Sequence, residues 1–439
     1  MHHSYESLDR AGGFDRVRLL APLRHRDFRL LWSGMFASLI GDGAFLVAIA
    51  WQVYALSSAP AALAVVGIAM TVPTILLLLV GGVASDRFER RRVMLLADLA
   101  RGGAVAVLAV LALTGLLELW HIAVLVVVYG AGQAFFDPAF DAIVPDVLPA
   151  AELGRANALD QFVRPLALRL AGPALGGVVI DLAGTGGAFA LDAASFAVSA
   201  AALLAMRAPR RSAPDGASVR TVAGDLREGF SYVRRHTWLW GTFACAAVAY
   251  LLFLGPTEVL LPLIVKQQMG GSGTELGLVF GAGGLGSIAC ALAMGQRELP
   301  RRDITFMYAA WTLATVAVAG YGAATAIWQL MIASLLFNAL ETAGTIVWAT
   351  TKQRHVPAAL LGRVSSLDWL ISIGLLPLSF ALTGPVSGAL GAQATLIAAG
   401  LLGAAVTFGG LLLPGMRAVE GRAPGRSTPF AEARSAPAS

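Results

Sequence analysis

The chain has 439 residues, of which 57% are hydrophobic and only 13% are charged. Soluble domains average about 25% charged residues, so this composition excludes an ordinary soluble domain and predicts a membrane protein. The net charge of +5 does not indicate nucleic-acid binding, because the arginines lie at the ends of apolar segments. Cys245 and Cys290 both lie inside apolar runs, so we expect neither a disulfide framework nor a metal site.

Twelve apolar segments follow a polar, arginine-rich stretch, residues 1–27, which lacks the pattern of a cleavable signal peptide. Each segment has about the 20 residues that a helix needs to cross a bilayer. A backbone in lipid must satisfy its own hydrogen bonds, so we predict an all-α membrane protein with twelve transmembrane helices. The predicted spans 1 to 12 are residues 28–56, 60–84, 93–115, 121–144, 157–181, 185–206, 238–264, 274–296, 304–323, 326–350, 364–388 and 393–414.

The basic residues predict the orientation of the chain. If the N-terminus is cytoplasmic, the inside segments hold 28 Lys and Arg residues and the outside loops hold one, Lys266. Basic residues concentrate in cytoplasmic loops. We therefore predict a multi-pass protein of the cytoplasmic (inner) membrane with both termini in the cytoplasm.

An internal repeat divides the chain into two halves. Residues 149–160 realign with residues 357–368, and eight of the twelve positions are identical. These segments precede spans 5 and 11, so each half has six spans. We predict six-helix bundles at 28–206 and 237–414.

Two polar segments complete the predicted organisation. Residues 207–236 connect the halves, and Leu226, Phe230 and Val233 are spaced there as in a short amphipathic helix on the cytoplasmic face. Residues 415–439 are rich in Pro, Ala, Arg and Ser, and we expect a disordered cytoplasmic tail.

The turn between spans 2 and 3 is the most specific motif. It contains Gly82, Asp86, Arg87, Arg90 and Arg91 with the spacing Gly-x-x-x-Asp-Arg-x-x-Arg-Arg. A basic turn alone would only fix topology, but this one resembles the signature loop between helices 2 and 3 of the major facilitator superfamily. The resemblance implies two parallel six-helix halves with the substrate site at their interface. It also implies that Gly82 permits close helix approach and that Asp86 helps to close the cytoplasmic side at the N-terminus of helix 11.

Span 5 carries a second motif, formed by Gly172, Pro173, Gly176 and Gly177. It resembles the ending of the antiporter motif in drug-exporting branches of the superfamily, although Leu168 stands where a further glycine is usual. Proline bends a helix and glycines permit close contact between helices. The motif favours export, and the alternative is a packing interface without bearing on transport direction.

Ionisable residues inside the spans are costly in lipid and are therefore candidates for proton coupling. Asp42 in span 1 and Glu341 in span 10 are the first candidates, and Asp137 in span 4 is the third. The alternative for each is a structural partner of an arginine or a backbone amide. The repeat pairs Glu341 with Gln133, and Arg164 is a candidate for holding a carboxylate in the cavity.

Other intramembrane charges have structural interpretations. Asp98 and Arg101 are three residues apart in span 3 and can pair on one helix face. Asp160 and Asp368 are repeat equivalents at the cytoplasmic ends of spans. Asp192 in span 6 has no assigned role.

Enzyme chemistry is not indicated. A Gly-x-Gly-x-x-Gly pattern at residues 281–286 lies inside span 8 rather than after a strand, so we interpret it as helix packing and not as a dinucleotide site. We expect no catalytic residue and no cofactor, with the proton gradient as the source of energy.

The chain as a whole resembles the drug:proton antiporter branch that includes macrolide efflux pumps and the enterobactin exporter. The resemblance implies a monomeric secondary transporter that exports a hydrophobic or amphipathic small molecule, such as a drug or siderophore, by proton antiport with alternating access. Its partners would be that substrate, protons and the lipid bilayer, without nucleic acid. Alternatives are a proton-coupled importer or lysophospholipid-type flippase of the same fold, and a non-transporting membrane scaffold or sensor.

The predicted topology can be tested by cysteine labelling at Ser212 and Ser272 in a chain that lacks Cys245 and Cys290. An impermeant reagent added to intact cells should label position 272 and not position 212, because the charge distribution places the connector inside. Labelling of position 212 alone would show that the chain has the opposite topology.

Overall fold

A computed structural model describes residues 15–149, 152, 156, 159–160, 163–207, 229–295 and 300–420. This part of the chain folds into α-helices without a strand. The α-helices are α1 (Arg26–Leu56), α2 (Pro60–Arg87), α3 (Arg90–Leu113), α4 (Leu119–Val147), α5 (Gly172–Ala205), α6 (Thr237–Leu263), α7 (Gly273–Gly295), α8 (Asp303–Ala323), α9 (Ile327–His355), α10 (Ala358–Gly374), α11 (Leu376–Leu390) and α12 (Ala392–Leu411). A 3-10 helix precedes α1 (Asp15–Arg24), and π-helices precede α5 (Leu166–Ala171) and follow α6 (Ile264–Gln268).

Eleven stretches within the described residues are long and apolar enough to cross a membrane. One of them, Val163–Ala205, has 43 residues. At about 1.5 Å per residue it is roughly twice as long as a bilayer is thick. Gly184 interrupts it with φ 70° and ψ 177°, a conformation open to glycine and not to other residues. The stretch is therefore two crossings, and the predicted all-α fold with twelve spans is confirmed.

The chain forms two compact units. Unit 1 comprises residues 1–214 and 262–284, and unit 2 comprises residues 215–261 and 285–439. Residues 262–284, which include the start of α7, cluster with unit 1 although they belong to the second half of the sequence. The limits of the predicted six-helix bundles stay predictions.

Unit 1 is built on close pairs of helices: α1 and α3 both pack on α5, and α4 packs on α2 and α3. Arg24, the last residue of the N-terminal 3-10 helix, forms an ion pair with Glu152 and so holds that helix in place. The hydrogen bond that Arg24 donates lowers the pKa of Glu152. In unit 2, α8 packs on α9 and α12.

The predicted disordered tail begins later than expected. Residues 415–420 form turns, and the Met416 side chain is fully buried in the core of unit 2. The Glu420 carboxylate accepts a hydrogen bond of 2.9 Å from the backbone amide of Thr305 at the start of α8. The prediction was wrong for these six residues because one buried apolar side chain and one helix-capping carboxylate hold them; residues 421–439 lie outside the described part.

Most of the predicted connector also lies outside the described residues. The end of its predicted amphipathic helix is helical from residue 229 to 234. Val233 is buried against unit 2, whereas Phe230 is exposed.

The repeat equivalents Asp160 and Asp368 both form ion pairs, as expected of structural residues. Asp160 pairs with Arg164 at 3.3 Å, with side chains 21% and 37% exposed. Asp368 pairs with Lys352, with both side chains 12% exposed, and also accepts a hydrogen bond of 2.8 Å from the Trp348 indole. The two pairs therefore differ mainly in burial.

This difference predicts unequal effects of the same substitution. Asp368→Ala should lower the free energy of unfolding by about 3 kcal/mol, because it leaves Lys352 buried without a counter-ion. Asp160→Ala should lower it by less than about 1 kcal/mol, because the Arg164 guanidinium is exposed enough to be solvated. Thermal unfolding of the detergent-solubilised protein measures both, and equal effects would contradict the assignment.

Candidate functional site

A buried charged cluster lies inside unit 1, with Asp98 and Arg101 of α3 at its centre. The Arg101 guanidinium is 2.7 Å from the Asp98 carboxylate, and the side chains are 4% and 0% exposed. The Ser199 hydroxyl of α5 donates a hydrogen bond of 2.6 Å to the second Asp98 oxygen. The predicted pairing of Asp98 with Arg101 is thereby confirmed, but its central position was not predicted.

Aromatic rings surround the other faces of the Arg101 guanidinium. Its central carbon lies 4.6 Å from the ring centre of Phe136 and 4.6 Å from that of Phe196. Such cation–π contacts are strongest where water is excluded. Gly132 makes room for the arginine stem, because a Cβ there would lie 2.6 Å from Arg101 Cγ. Together with Asp98, these three residues hold the Arg101 side chain between α3, α4 and α5.

Asp42 of α1 joins this cluster through Tyr129 of α4. The Tyr129 hydroxyl donates a hydrogen bond to Asp42, and the Tyr129 ring stacks on Phe45 with 4.7 Å between ring centres. The Arg101 guanidinium lies 5.9 Å from the centre of the same ring. Tyr129 was not predicted as a site residue, and the only signal in the sequence is a phenol in the middle of a span.

Asp192 of α5 is the least satisfied member of the cluster. Its side chain is fully buried, and one of its oxygens has no hydrogen-bond partner among the described residues. The other oxygen accepts a hydrogen bond of 3.2 Å from Ser195. A Cβ at Gly41 would lie 2.4 Å from the Asp192 carboxylate, so this acid is packed against the residue that precedes Asp42.

Asp137, the residue that follows Phe136 on α4, is half-buried. Gln133, one turn earlier on α4, is its side-chain hydrogen-bond partner, and Arg101 and Arg164 are the cations that act on it. The predicted residues Asp42, Gln133 and Asp137 therefore belong to one region of unit 1. Arg164 forms its ion pair with Asp160.

Glu341 belongs to unit 2. It lies on α9, where the Thr345 hydroxyl donates a hydrogen bond of 2.9 Å to its carboxylate. Within the described part of the chain it forms no ion pair, so its proposed role in coupling stays a prediction.

The arginines of the turn between α2 and α3 bind the ends of neighbouring helices. Arg90 donates a hydrogen bond of 2.8 Å to the Ala142 carbonyl and forms an ion pair of 2.7 Å with Asp146. Arg91 donates a hydrogen bond of 2.7 Å to the Met206 carbonyl, just after α5. Cations at the C-terminal ends of helices satisfy unpaired carbonyl groups and the helix dipole. These two arginines therefore connect the ends of α3, α4 and α5.

The expectation for Gly82 was wrong. A Cβ at Gly82 meets no atom of the described residues within 4 Å, whereas a Cβ at Gly81 would lie 2.0 Å from the Ala134 carbonyl oxygen. Successive helical residues point about 100° apart, so the close contact with α4 falls on the preceding glycine. The side chain of Asp86 lies outside the described part, and the proposed role of Asp86 and Arg87 in closure stays a prediction.

The glycines of the span 5 motif pack α5 against α1. A Cβ at Gly176 would lie 2.5 Å from the Ala44 Cα, and one at Gly172 would lie 2.6 Å from the Ile40 carbonyl oxygen. The π-helix Leu166–Ala171 immediately precedes Pro173. π-Helical turns are local distortions of a helix. Pro173 follows this one, and proline favours such distortions because it lacks an amide donor. The predicted close packing is confirmed, and the predicted bend at Pro173 stays a prediction.

The other face of the same motif packs on the start of α7. A Cβ at Gly177 would lie 2.4 Å from the Gly273 carbonyl oxygen, and one at Gly277 would lie 2.4 Å from that of Pro173. The Asp181 carboxylate accepts hydrogen bonds of 2.9 Å from the backbone amides of Gly273 and Thr274. A carboxylate at a helix N-terminus is favourable. This seam explains why residues 262–284 cluster with unit 1.

The described residues contain no group of three or more His, Cys, Asp and Glu side chains that could hold a metal ion.

Comparisons with known proteins agree with this fold. The profile of a family described as transmembrane secretion effector, within the major facilitator superfamily, matches residues 17–432. Multidrug efflux pump Tap of Mycolicibacterium fortuitum is 30% identical over 383 residues, which cover 84% of this chain and 91% of that protein. Macrolide efflux protein A of Streptococcus pyogenes is 21% identical over 251 residues, which cover 57% and 62%. A crystal structure of a bacterial homologue of the iron transporter ferroportin shares the fold, with a TM-score of 0.65 at 18% identity, and covers 89% of this chain and 99% of that one.

The two motif glycines Gly176 and Gly82 predict opposite effects of one substitution. Gly176→Ala should lower the free energy of unfolding by about 1–3 kcal/mol, because the new methyl group collides with the α1 backbone. Gly82→Ala should raise it by about 0.5 kcal/mol, because it removes a flexible residue from a helix and collides with nothing. Thermal unfolding of the two variants in detergent compares them directly. If Gly82→Ala destabilises the protein, the close helix contact first expected at Gly82 would be supported after all.

Proposed function

Because the chain belongs to the transmembrane secretion effector family of the major facilitator superfamily, we propose that it exports hydrophobic or amphipathic small molecules by proton antiport with alternating access. The names of its relatives, a multidrug efflux pump and a macrolide efflux protein, support drugs as substrates. The close-packed glycine motif of α5 supports export. The protein would then be a transporter rather than an enzyme, monomeric, without a cofactor, in the cytoplasmic membrane with both termini inside.

The charge balance of the buried cluster is the main observation that supports proton coupling. Four carboxyl groups, those of Asp42, Asp98, Asp137 and Asp192, share the field of one buried guanidinium, that of Arg101. Only Asp98 forms an ion pair with it within the described residues. An ionised carboxylate without a counter-ion is very costly in an apolar interior. Proton uptake neutralises the remaining carboxyl groups without any other ion.

Asp42 is the best proton carrier among these groups. Asp98 is held by both Arg101 and Ser199, so its role is to anchor the arginine. Among the described residues, Asp42 accepts one hydrogen bond, from the Tyr129 hydroxyl, and a neutral carboxyl group can accept the same bond. A change in the charge of Asp42 is felt by Arg101 and by Asp192. Proton binding at Asp42 can therefore alter the packing of α1 against α5.

Substitution of Asp42 by Asn tests this role. Asp42→Asn should abolish export driven by an imposed proton gradient in proteoliposomes, because the amide cannot titrate. It should leave counterflow exchange of substrate largely intact, because the amide keeps the volume and can still accept a hydrogen bond from Tyr129. Tyr129→Phe is the matched control: it removes the hydroxyl but keeps the carboxyl group, and proton-driven export should persist.

Glu341→Gln is measured in the same assay, since Glu341 is the second candidate. If Asp42→Asn and Glu341→Gln both export at the wild-type rate under the gradient, neither residue carries the proton. Asp137 would then become the candidate.

A further inference from the structure

One face of α4 carries a row of polar side chains. Gln133, Asp137 and Asp141 are spaced four residues apart, so they are neighbours on one face of the helix. Gln133 and Asp137 are half-buried, whereas Asp141 is exposed. The row therefore runs from the interior of unit 1 toward the end that carries the arginine-rich turn, which the charge distribution predicts to be cytoplasmic.

A cavity of ≈ 240 Å³ opens at the last member of this row. Asp141 lines it together with Asp160 and with Trp32 of α1. The volume is enough for several water molecules, because one water needs only about 10–15 Å³. Water also needs polar partners, and the two carboxylates supply them. The Trp32 indole N–H, which is buried without a hydrogen-bond partner among the described residues, is a further donor.

Asp137 connects the Arg101 cluster to this cavity. Its charge acts on Asp42 and on Arg101 at one end of the row, and on Asp141 at the other. Residues one helical turn apart have about 5–6 Å between their Cβ atoms, a gap that one water molecule can bridge. Chains of acidic side chains are typical proton relays in membrane transporters.

Opposite charges act on Asp141, as a group that takes up and releases a proton requires. The negative charges of Asp137 and Asp160 favour its neutral form, and the positive charge of Arg164 favours its ionised form. Arg164 also forms the ion pair with Asp160, which lines the same cavity. The side chains that α1 adds to the wall carry no charge.

We propose that Asp141 is the residue through which protons pass between Asp137 and the cytoplasm. The proton leaves the Asp137 carboxyl group for the Asp141 carboxylate by way of a bridging water, and Asp141 then releases it to water in the cavity. Each step moves one proton between oxygen atoms, so no oxidant or other reactant is needed. This inference rests on the proposed proton coupling, to which it adds the route on the cytoplasmic side.

Infrared spectroscopy of the full-length protein in nanodiscs tests this route. After a rapid pH jump, the carbonyl band of the protonated Asp137 carboxyl group reports how fast this group exchanges protons with solvent. The band is identified by its loss in Asp137→Asn. Asp141→Asn should slow the exchange about tenfold, because a positioned group typically accelerates proton transfer by about 10²–10⁴ and cavity water replaces only part of that effect. The exchange should still go to completion.

Two matched variants separate proton transfer from a general effect of charge. Asp141→Glu keeps a carboxyl group at this position and should keep the wild-type rate. Asp146→Asn removes a carboxylate from the same helix end, where Asp146 pairs with Arg90, and should leave the rate unchanged. A wild-type rate in Asp141→Asn, or equal slowing by Asp146→Asn, would overturn the inference, and Asp141 would then be only a solvated residue near the end of α4.

Efflux of the uncharged dye Nile red from cells tests the proposed function separately. If cells with the wild-type protein export the dye while Asp141→Asn exchanges protons at the wild-type rate, the route fails and the export function stands. If the dye is not exported while proton exchange at Asp137 depends on Asp141, the export function fails and the route stands.

Discussion

A guanidinium buried among apolar helices has to be neutralised and fully surrounded, and much of unit 1 is arranged to meet that requirement for Arg101. Asp98 neutralises its charge, and Ser199 holds Asp98 in place. Phe136 and Phe196 cover the faces of the guanidinium, and Gly132 leaves space for the arginine stem. These contacts come from α3, α4 and α5, so the same interaction that solvates the arginine also holds three helices together. Asp42 and Asp192 lie at the edge of this arrangement, where the charge of Arg101 acts on both, and neither forms an ion pair within the described part of the chain.

The sequence predicts the helices of this fold well and the site only in part. Long apolar runs, basic turns and glycine motifs are local signals, so the twelve spans and the packing at Gly176 follow from them. The position of Arg101 does not, because spans that are hydrophobic all round do not show which face points inward. The same ambiguity assigned the close contact of α2 to Gly82 instead of Gly81. The tail at 415–420 was misread because composition cannot show that Met416 fits a buried space.

The arginine-rich turn shows how one set of residues serves two requirements. Basic turns of this kind orient a chain during its insertion into the membrane. In the folded protein, Arg90 and Arg91 bind carbonyl groups at the ends of α4 and α5. Met206 lies just after α5, so Arg91 satisfies a carbonyl that has no partner in that helix, whereas Arg90 adds a hydrogen bond within the last two turns of α4. Arg92 pairs with Glu89, and its side chain is 76% exposed, so it can also contact solvent or lipid headgroups.

At Gly184 the two crossings of Val163–Ala205 are joined without a loop. A loop of several residues would let each helix tilt alone, but here a single residue joins them. Asp192 lies eight positions after Gly184, or about 12 Å along the helix. The angle between the two crossings therefore depends on the backbone of this one residue. Insertion of a few flexible residues at Gly184 would remove this constraint and let the angle between the two crossings vary.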